Sequence, residues 1–257
     1  MHEIKVIDAG LVPYAVADEW QKDLHSRRVK QEISDVLLIL EHPHVYTLGR
    51  GFKSQHLLTG REELSCRSIE VCEADRGGSI TYHGPGQLVV YPIVDLNRPG
   101  KDFPDALKYL RTLEEAIIRT ARSVGVVSTR REGMTGVWVG DAKLASIGVN
   151  ISRGVSKHGL AVNVCTDLEF FSGMVPCGMP GSVTSLELIL NSELTVSGVG
   201  LQLVKHLGHL LHARPVPSAL EDLDLAFPSD DKGNKIIEFP QPRRSRVPRR
   251  GTASRNG

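Results

Sequence analysis

Apolar residues recur with three different spacings along the chain. Residues 36–40 form an unbroken apolar run within DVLLILEHPHVYTLG, which predicts a strand buried on both faces. Shorter strands are predicted over 69–73 and 87–96, on either side of a glycine-rich loop. Over 103–126 the spacing changes to three or four residues, which predicts an amphipathic helix with Pro104 in its first turn. The apolar stripe of this helix consists of Leu107, Leu110, Leu113, Ile117, Ala121 and Val124.

The next segments alternate with a period of two. Residues 135–151 and 158–164 are predicted strands, and Gly140 and Asp141 are suited to a hairpin turn within the first segment. One helix is predicted to begin near Ser182 and another to cover 197–213. Strands, one helix, more strands and then helices indicate an α+β fold with a mixed or antiparallel sheet, and not a regular βαβ alternation.

Composition narrows the class of protein. The 257 residues are 40% hydrophobic and 24% charged, as in ordinary globular proteins. A net charge of +1 gives no overall attraction to nucleic acid. We expect no membrane span, because no run of about 18 apolar residues occurs. The first residues lack the apolar core of a signal peptide, so we expect a cytoplasmic protein with reduced thiols.

The composition changes after about residue 213. Prolines become frequent, core-forming residues become rare, and the end of the chain is rich in arginine. We therefore expect one domain over 1–215 and a proline- and arginine-rich extension over 216–257 that is largely disordered. The arginines of the extension's last part are Arg243, Arg244, Arg246, Arg249, Arg250 and Arg255.

The glycine-rich loop lies in RGGSITYHGPGQLVVYPIVDL, residues 76–96. It contains neither GxxxxGK[ST] nor a GxGxxG before a helix, so both nucleotide-binding motifs fail. Glycines that lack Cβ allow a ligand to lie against the main chain, although a simple turn that needs positive φ is the alternative. Polar side chains in the loop favour binding, since a turn does not require them. The glycines are Gly77, Gly78, Gly84 and Gly86, and the polar residues are Arg76, Thr81, His83 and Gln87.

Histidines raise the possibility of a metal site. His42 and His44 flank Pro43, and His83 and His158 lie in other segments. No cysteine or carboxylate follows at ligand spacing, so ordinary loop histidines are the better interpretation and no metal is expected.

Lys143 and Cys177 are the candidates for reactive groups. Alternation predicts that Lys143, Ala145 and Ile147 share one strand face, with Leu144, Ser146 and Gly148 on the other. Such a lysine is either an ordinary exposed edge residue or a partly buried ammonium that stabilises a thiolate. Cys177 lies in the rigid turn MVPCGMPGS, before a predicted helix, where a thiol pKa is lowered. The other cysteines, Cys66, Cys72 and Cys165, have the sequence surroundings of core or strand positions.

Taken together, these stretches resemble the lipoyl(octanoyl) transferase family. The resemblance is carried by LLILEHPHVYTLGRG, RGGSITYHGPGQLVVYPIVDL, AKLASIGVNISRGVSKHGLAVNV and MVPCGMPGSVTSL, and it covers about residues 1–215 as a catalytic domain. It departs from the family at His44, where a second proline is more usual, and in the arginine-rich extension. It implies the biotin/lipoate protein ligase catalytic fold, in which helices flank a mixed sheet.

The resemblance also implies an activity. Family members transfer an octanoyl group from acyl carrier protein to a lysine of a lipoyl domain, in 2-oxoacid dehydrogenase complexes or the glycine cleavage H protein, without a cofactor. It implies a thioester intermediate on Cys177 and a role for Lys143 in lowering the thiol pKa and moving protons. The implied substrate-binding residues are Arg76, Gly77, Gly78, Ser79, Ile80, Thr81, Tyr82, His83, Ser146, Ile147, Gly148, Gly159, Leu160 and Ala161.

Three other functions remain open from the sequence. A lipoate or biotin ligase shares the fold but activates a free acid with ATP, and no basic cluster for phosphates stands out near the loop. A cysteine hydrolase would pair Cys177 with His83 or His158. An inactive carrier-binding module is the third, although the presence of both Cys177 and Lys143 argues against it.

Overall fold

The computed structural model describes residues 2–97, 105–175 and 182–228, and for Arg61 only the backbone. Pro104, Cys177 and the arginine-rich end of the chain therefore lie outside the described residues. The strands are β1 (His2–Leu11), β2 (Asp35–Glu41), β3 (Val45–Leu48), β4 (Glu70–Glu73), β5 (Ile80–His83), β6 (Gln87–Ile93), β7 (Thr129–Arg131), β8 (Met134–Val139), β9 (Ala142–Ser152), β10 (Val155–Asn163) and β11 (Ala213–Pro217). The helices are α1 (Tyr14–Val29), α2 (Arg61–Cys66), α3 (Ala106–Ser123), α4 (Leu186–Leu190) and α5 (Val196–Leu210).

The main sheet is mixed, which confirms the predicted α+β class. Its strand order is β11-β1-β2-β6-β10-β9-β8-β7. The pairs β11–β1 and β1–β2 are parallel, and the remaining pairs are antiparallel. A smaller sheet, β4-β3-β5, carries the start of the glycine-rich segment beside the main sheet.

Strand β2 explains why residues 36–40 are apolar without interruption. Val36, Leu38 and Leu40 belong to the core cluster that packs against α1, whereas Leu37 and Ile39 belong to the cluster beneath α3 and α5. Helices therefore cover both faces of the sheet, and a strand between them needs apolar residues at every position.

Helix α3 confirms most of the predicted apolar stripe. Leu113, Ile117 and Ala121 are buried in the core. Leu107, in the first turn, is 58% exposed, so its assignment to the buried stripe was wrong. The helix starts after an Asp105 N-cap, whose side chain accepts a hydrogen bond from the N–H of Lys108 at 2.7 Å.

The hairpin turn at Gly140 is confirmed, with β8 ending before it and β9 starting two residues later. Gly140 has a φ of +55°, which glycine adopts without strain. The helix over 197–213 is confirmed as α5. The helix predicted near Ser182 instead starts at Leu186, because Val183 forms a parallel β-bridge with Lys143 and Ser185 is the N-cap.

The folded chain continues past the expected boundary at residue 215. Strand β11 extends to Pro217, and Leu223 and Leu225 are buried against α1. The indole N–H of Trp20 donates to the carbonyl of Ala226 at 3.1 Å. Residues 216–228 are thus part of the domain, and the prediction of disorder remains a prediction for 229–257 alone.

Candidate active site

A cavity of about 670 Å³ lies where the glycine-rich loop meets strands β8, β9 and β10. Its volume falls in the range typical of small-molecule sites. All but one of the predicted substrate-binding residues line it, namely Arg76, Gly77, Gly78, Ser79, Ile80, Thr81, His83, Ser146, Ile147, Gly148, Gly159, Leu160 and Ala161. Lys143 lines the same cavity.

Tyr82 is the exception, because it faces away from the cavity. Its ring stacks on Phe170 with centroids 5.2 Å apart, and its hydroxyl forms a 2.7 Å hydrogen bond with His44. Alternation along β5 places Thr81 and His83 at the cavity and Tyr82 in a separate aromatic cluster. His44, where the family resemblance departs, therefore has a packing role beneath β5.

The glycine-rich loop is held against two strands by its main chain. The N–H of Gly77 donates to the carbonyl of Val149 at 2.9 Å, and Gly49 donates to Ser79 at 2.8 Å. A side chain at Gly148 would place its Cβ 2.9 Å from the carbonyl oxygen of Gly77. Glycine in this part of β9 therefore allows the loop to form one wall of the cavity with bare backbone.

Arg76 supports this wall from inside the fold. Its guanidinium donates to the carbonyl of Thr47 at 2.6 Å and to the Thr47 hydroxyl at 2.7 Å and 3.2 Å. Only 7% of the residue is exposed. These hydrogen bonds fix the orientation of the buried Arg76 guanidinium beside the cavity.

A β-bulge in β9 determines which side chains enter the cavity. Val137 pairs with Ala145, but the next residue, Trp138, pairs with Lys143, so β9 has one extra residue at Leu144. Lys143 and Ala145 therefore lie on opposite faces. The alternation predicted from the sequence was wrong here, because the extra residue brings Lys143 to the same face as Ser146.

The Lys143 side chain runs along the cavity wall. Its Nζ lies 5.4 Å from the centre of the Trp138 ring, and a Cβ at Gly136 would lie only 2.7 Å from its Cε. The Lys143 N–H donates to the carbonyl of Ser182 at 2.8 Å, and its carbonyl accepts from Thr184 at 3.0 Å. The lysine is thus tied to the chain that follows the segment containing Cys177.

The described chain is also anchored before that segment. The N–H of Val175 donates to the carbonyl of His56 at 2.8 Å, and Met174 forms an antiparallel bridge with Leu57. Both ends of the chain around residues 176–181 are therefore hydrogen-bonded to the rest of the domain. The roles of Cys177 and Lys143 stay predictions.

The other cysteines occupy different surroundings. Cys66 is exposed at the end of α2, so its assignment to a core or strand position was wrong. Cys72 and Cys165 are half-buried, and desolvation raises the pKa of both thiols. Both are held in the protonated form that is a poor nucleophile.

The histidines have hydrogen-bonding roles. His42 is fully buried and not a surface-loop residue: its Nδ1 donates to Val12 at 2.6 Å and its Nε2 accepts from Tyr91 at 2.7 Å. Burial lowers the pKa of His42 to about 4. Burial, and after it the neighbouring His42, lower the pKa of His83 well below its usual value, and His83 donates to the Gln87 amide oxygen at 2.7 Å.

His158, which lines the cavity, forms a pair with the half-exposed Asp75 outside it. The Nε2 of His158 donates to the Asp75 carboxylate at 2.6 Å, and Lys157 binds the other oxygen at 2.6 Å. Burial tends to raise the pKa of Asp75, but the hydrogen bonds from Lys157 and His158 bring it down to about 2. His158 has a φ of +55°, a strained value for a non-glycine residue within a strand.

Sequence reasoning missed several cavity residues because they come from distant elements. Tyr14 starts α1 and Trp138 lies in β8, outside the glycine-rich and lysine-containing motifs, whereas Tyr91 lies in β6, within the stretch 76–96 but past its loop. Their only sequence signal is an aromatic residue with a polar group at an apolar, strand- or helix-forming position.

Residues 2–97, 105–175 and 182–228 contain no group of three or more His, Cys, Asp or Glu side chains placed to hold a metal ion. Within the same ranges, no helix is both long and apolar enough to cross a bilayer.

The chain is similar to lipoyl protein ligases in sequence and in fold. Residues 13–208 match the model of the lipoyl protein ligase A/B catalytic domain. The fold agrees: a putative lipoate protein ligase from T. acidophilum with bound lipoic acid superposes with a TM-score of 0.66 at 14% identity, covering 85% of this chain and 90% of that one. Lipoate-protein ligase A bound with ATP gives a TM-score of 0.65 at 14% identity, covering 85% and 88%.

Sequence relatives narrow the class to one family. An octanoyltransferase from Koribacter versatilis is 42% identical over 80% of this chain and 84% of its own. Octanoyltransferases from Gloeobacter violaceus and Chloroflexus aurantiacus are 47% and 42% identical, covering 70% and 86% of this chain and 78% and 99% of theirs. The chain belongs to the lipoyl(octanoyl) transferase family and is an acyltransferase.

Proposed function

We propose that this protein transfers an octanoyl group from the thioester of acyl carrier protein to a lysine amine of lipoyl domains, through an octanoyl thioester on Cys177. Lys143 stabilises the Cys177 thiolate and moves protons in both half-reactions. The acceptors are the lipoyl domains of 2-oxoacid dehydrogenase complexes and the glycine cleavage H protein, and the reaction takes place in the cytoplasm without a cofactor.

The observation that carries this proposal is the position of Lys143. It lines the cavity, and its main chain is hydrogen-bonded to Ser182 and Thr184. Cys177 precedes Ser182 by five residues, so the two Cα atoms lie within about 18 Å of each other even for an extended chain. This distance supports the proposal, because it is short enough to allow the thiol to reach the end of the cavity at which Lys143 lies.

The chemistry requires one ionised sulfur and one mobile proton. The Cys177 thiolate attacks the carrier thioester carbonyl, and the departing carrier thiolate takes a proton from Lys143. In the second half-reaction the acceptor lysine attacks the Cys177 thioester, its excess proton passes to Lys143, and the Cys177 thiolate is released. An ammonium near the thiol is needed because an ordinary thiol, with a pKa near 8.5, is mostly protonated at neutral pH.

The cavity suits an acyl chain that has no polar group of its own. Ile80, Ile147, Leu160 and Ala161 are apolar residues of its lining, and Gly77, Gly148 and Gly159 line it without a side chain. We include in the binding site the lining residues Arg76, Gly78, Ser79, Thr81, His83 and Ser146, and leave out Tyr82 because it does not reach the cavity.

A donor experiment separates this function from that of an ATP-dependent ligase. Apo lipoyl domain is incubated with the protein and either octanoyl-acyl carrier protein or free octanoate with ATP and magnesium. We expect octanoylated lipoyl domain with the carrier donor alone, and none from Cys177→Ala. Product from octanoate and ATP at a comparable rate would contradict the proposal, as would normal turnover by Cys177→Ala. Cys66→Ala serves as the matched control, because Cys66 is an exposed thiol outside the cavity.

A further inference from the structure

The cavity has two chemically different ends. Lys143, Trp138 and Val183 border one end, beside the exposed Ser182. The opposite end, here called the polar end, is formed by five buried polar side chains. These are Tyr14, Arg76, His83, Tyr91 and His158, each less than 8% exposed.

Strand register sets the distance between the two ends. Gly148, in β9, is paired with Gly159 and lies five residues from Lys143, and because the bulge at Leu144 takes up one of these residues, the separation is roughly 13 Å at about 3.3 Å per step. The Arg76 side chain covers this position, because a Cβ at Gly148 would lie 3.2 Å from its Cδ. An extended octanoyl chain is roughly 9 Å long, because each of its seven C–C bonds, about 1.5 Å in length, advances the zigzag chain by about 1.3 Å. The apolar part of the cavity is therefore only a few carbons longer than the chain.

The polar end cannot move aside for a longer chain. Arg76 is fixed by its hydrogen bonds to Thr47, and His158 is fixed by Asp75. Asp75 in turn accepts hydrogen bonds from Lys157 at 2.6 Å and from Asn150 at 2.8 Å. A methyl group pressed against these groups would displace water without replacing its hydrogen bonds.

One group at this end has an unmet hydrogen bond. The Tyr14 hydroxyl is buried and has no hydrogen-bond partner among the described residues, although Tyr14 lines the cavity. A buried hydroxyl in this position requires water or a polar ligand group inside the cavity. An apolar chain that reaches Tyr14 leaves that requirement unmet.

We propose that the polar end, with the Tyr14 hydroxyl as its critical group, sets the upper limit on the length of the acyl chain that the cavity accepts. This inference rests on the proposed function, because it assumes that the acyl carbonyl is held near Lys143. Chains of eight to about ten carbons end in the apolar part, and longer ones meet the polar end.

The test is a chain-length series with saturated acyl-acyl carrier proteins of 8, 10, 12 and 14 carbons. Initial rates of lipoyl-domain acylation are measured by mass spectrometry for wild-type protein, Tyr14→Phe and the control Tyr109→Phe. Tyr109 is a matched control because it is also fully buried, but its hydroxyl donates to Ser156 in the core and not into the cavity. Thermal unfolding of each variant checks that it is folded.

For wild-type protein we expect the rate to fall at least tenfold between the 10- and 12-carbon donors. Tyr14→Phe should raise the ratio of the 12-carbon to the 8-carbon rate about tenfold, and Tyr109→Phe should leave it unchanged. A wild-type rate that stays constant or rises up to 14 carbons would overturn the proposal, even if Tyr14→Phe did not fold. An unchanged ratio in folded Tyr14→Phe would also overturn it.

Failure of the proposed function gives a different result. If the protein acylates lipoyl domains only from free acid and ATP, every carrier donor is inactive and the 8-carbon rate is zero. The same chain-length series with free acids would then still report on the polar end.

Discussion

At the scale of single residues, the fold changes the chemistry of common side chains. Cys72 and Cys165 have thiols whose pKa is raised by burial, so they are poor nucleophiles. Lys143 lies in a cavity beside an aromatic ring and close in sequence to a hairpin turn. The sequence shows that position 143 is a lysine, but it does not show which residues surround that lysine in the fold.

Substitution of Lys143 separates its two proposed roles. Lys143→Ala should slow octanoyl adduct formation by about 10²-fold to 10⁴-fold, the usual contribution of a general acid–base. Lys143→Arg should keep part of the thiolate stabilisation but not proton transfer, because guanidinium does not deprotonate. Iodoacetamide alkylation rates across pH report the thiol pKa, and single-turnover assays report transfer. The exposed Lys205→Ala is the control, and normal rates in Lys143→Ala would refute the assignment.

At the scale of elements, sequence patterns predicted the strands and helices well where one periodicity holds throughout. Strand β2, helix α3 and helix α5 are such elements. The patterns failed at β9, where the bulge at Leu144 exchanges the faces, and near Ser182, where a β-bridge to Lys143 delays the helix until Leu186. Both failures have the same physical cause, since hydrogen bonds to another strand override the pattern of the local sequence.

Strands β6 and β10 approach each other closely at Gly159. A Cβ at this position in β10 would lie 2.2 Å from the carbonyl oxygen of Val90 in β6, and neither backbone can retreat within a sheet. Gly159→Ala should therefore lower the free energy of unfolding by about 3 kcal/mol or more. Gly60→Ala, at a position with open space and a φ of −73°, is the control and should change it little. Urea unfolding measures both, and equal stability of the two variants would contradict the packing described for β10.

At the scale of the whole molecule, residues beyond position 215, where the composition predicts that the domain ends, pack against the core of the domain. Leu223 and Leu225 are buried against α1, and the Phe227 ring lies 5.1 Å from that of Trp20. The composition of this segment is rich in proline and acidic residues, which concealed its few well-placed apolar anchors. The composition of a segment predicts only its average burial, whereas a few single apolar residues are enough to fix this segment to the domain.

Two shortened chains test whether the residues after 215 stabilise the domain. A chain ending at Pro228 should unfold within a few degrees of the full-length protein. A chain ending at Pro215 loses the burial of Leu223 and Leu225, and should be less stable by roughly 3–6 kcal/mol. Thermal and urea unfolding compare the three proteins. Equal stability of the two shortened chains would show that the residues after 215 are dispensable for the fold.

The proposed mechanism requires that the acyl group passes through a covalent thioester on Cys177. Intact-mass spectrometry of the protein after incubation with octanoyl-acyl carrier protein detects such a thioester. We predict a single octanoyl adduct that maps to Cys177, is removed by hydroxylamine, persists in buffer and disappears when apo lipoyl domain is added. Transfer to the lipoyl domain at full rate with no adduct at Cys177, or an adduct that water removes as fast as the lipoyl domain does, would rule out this mechanism.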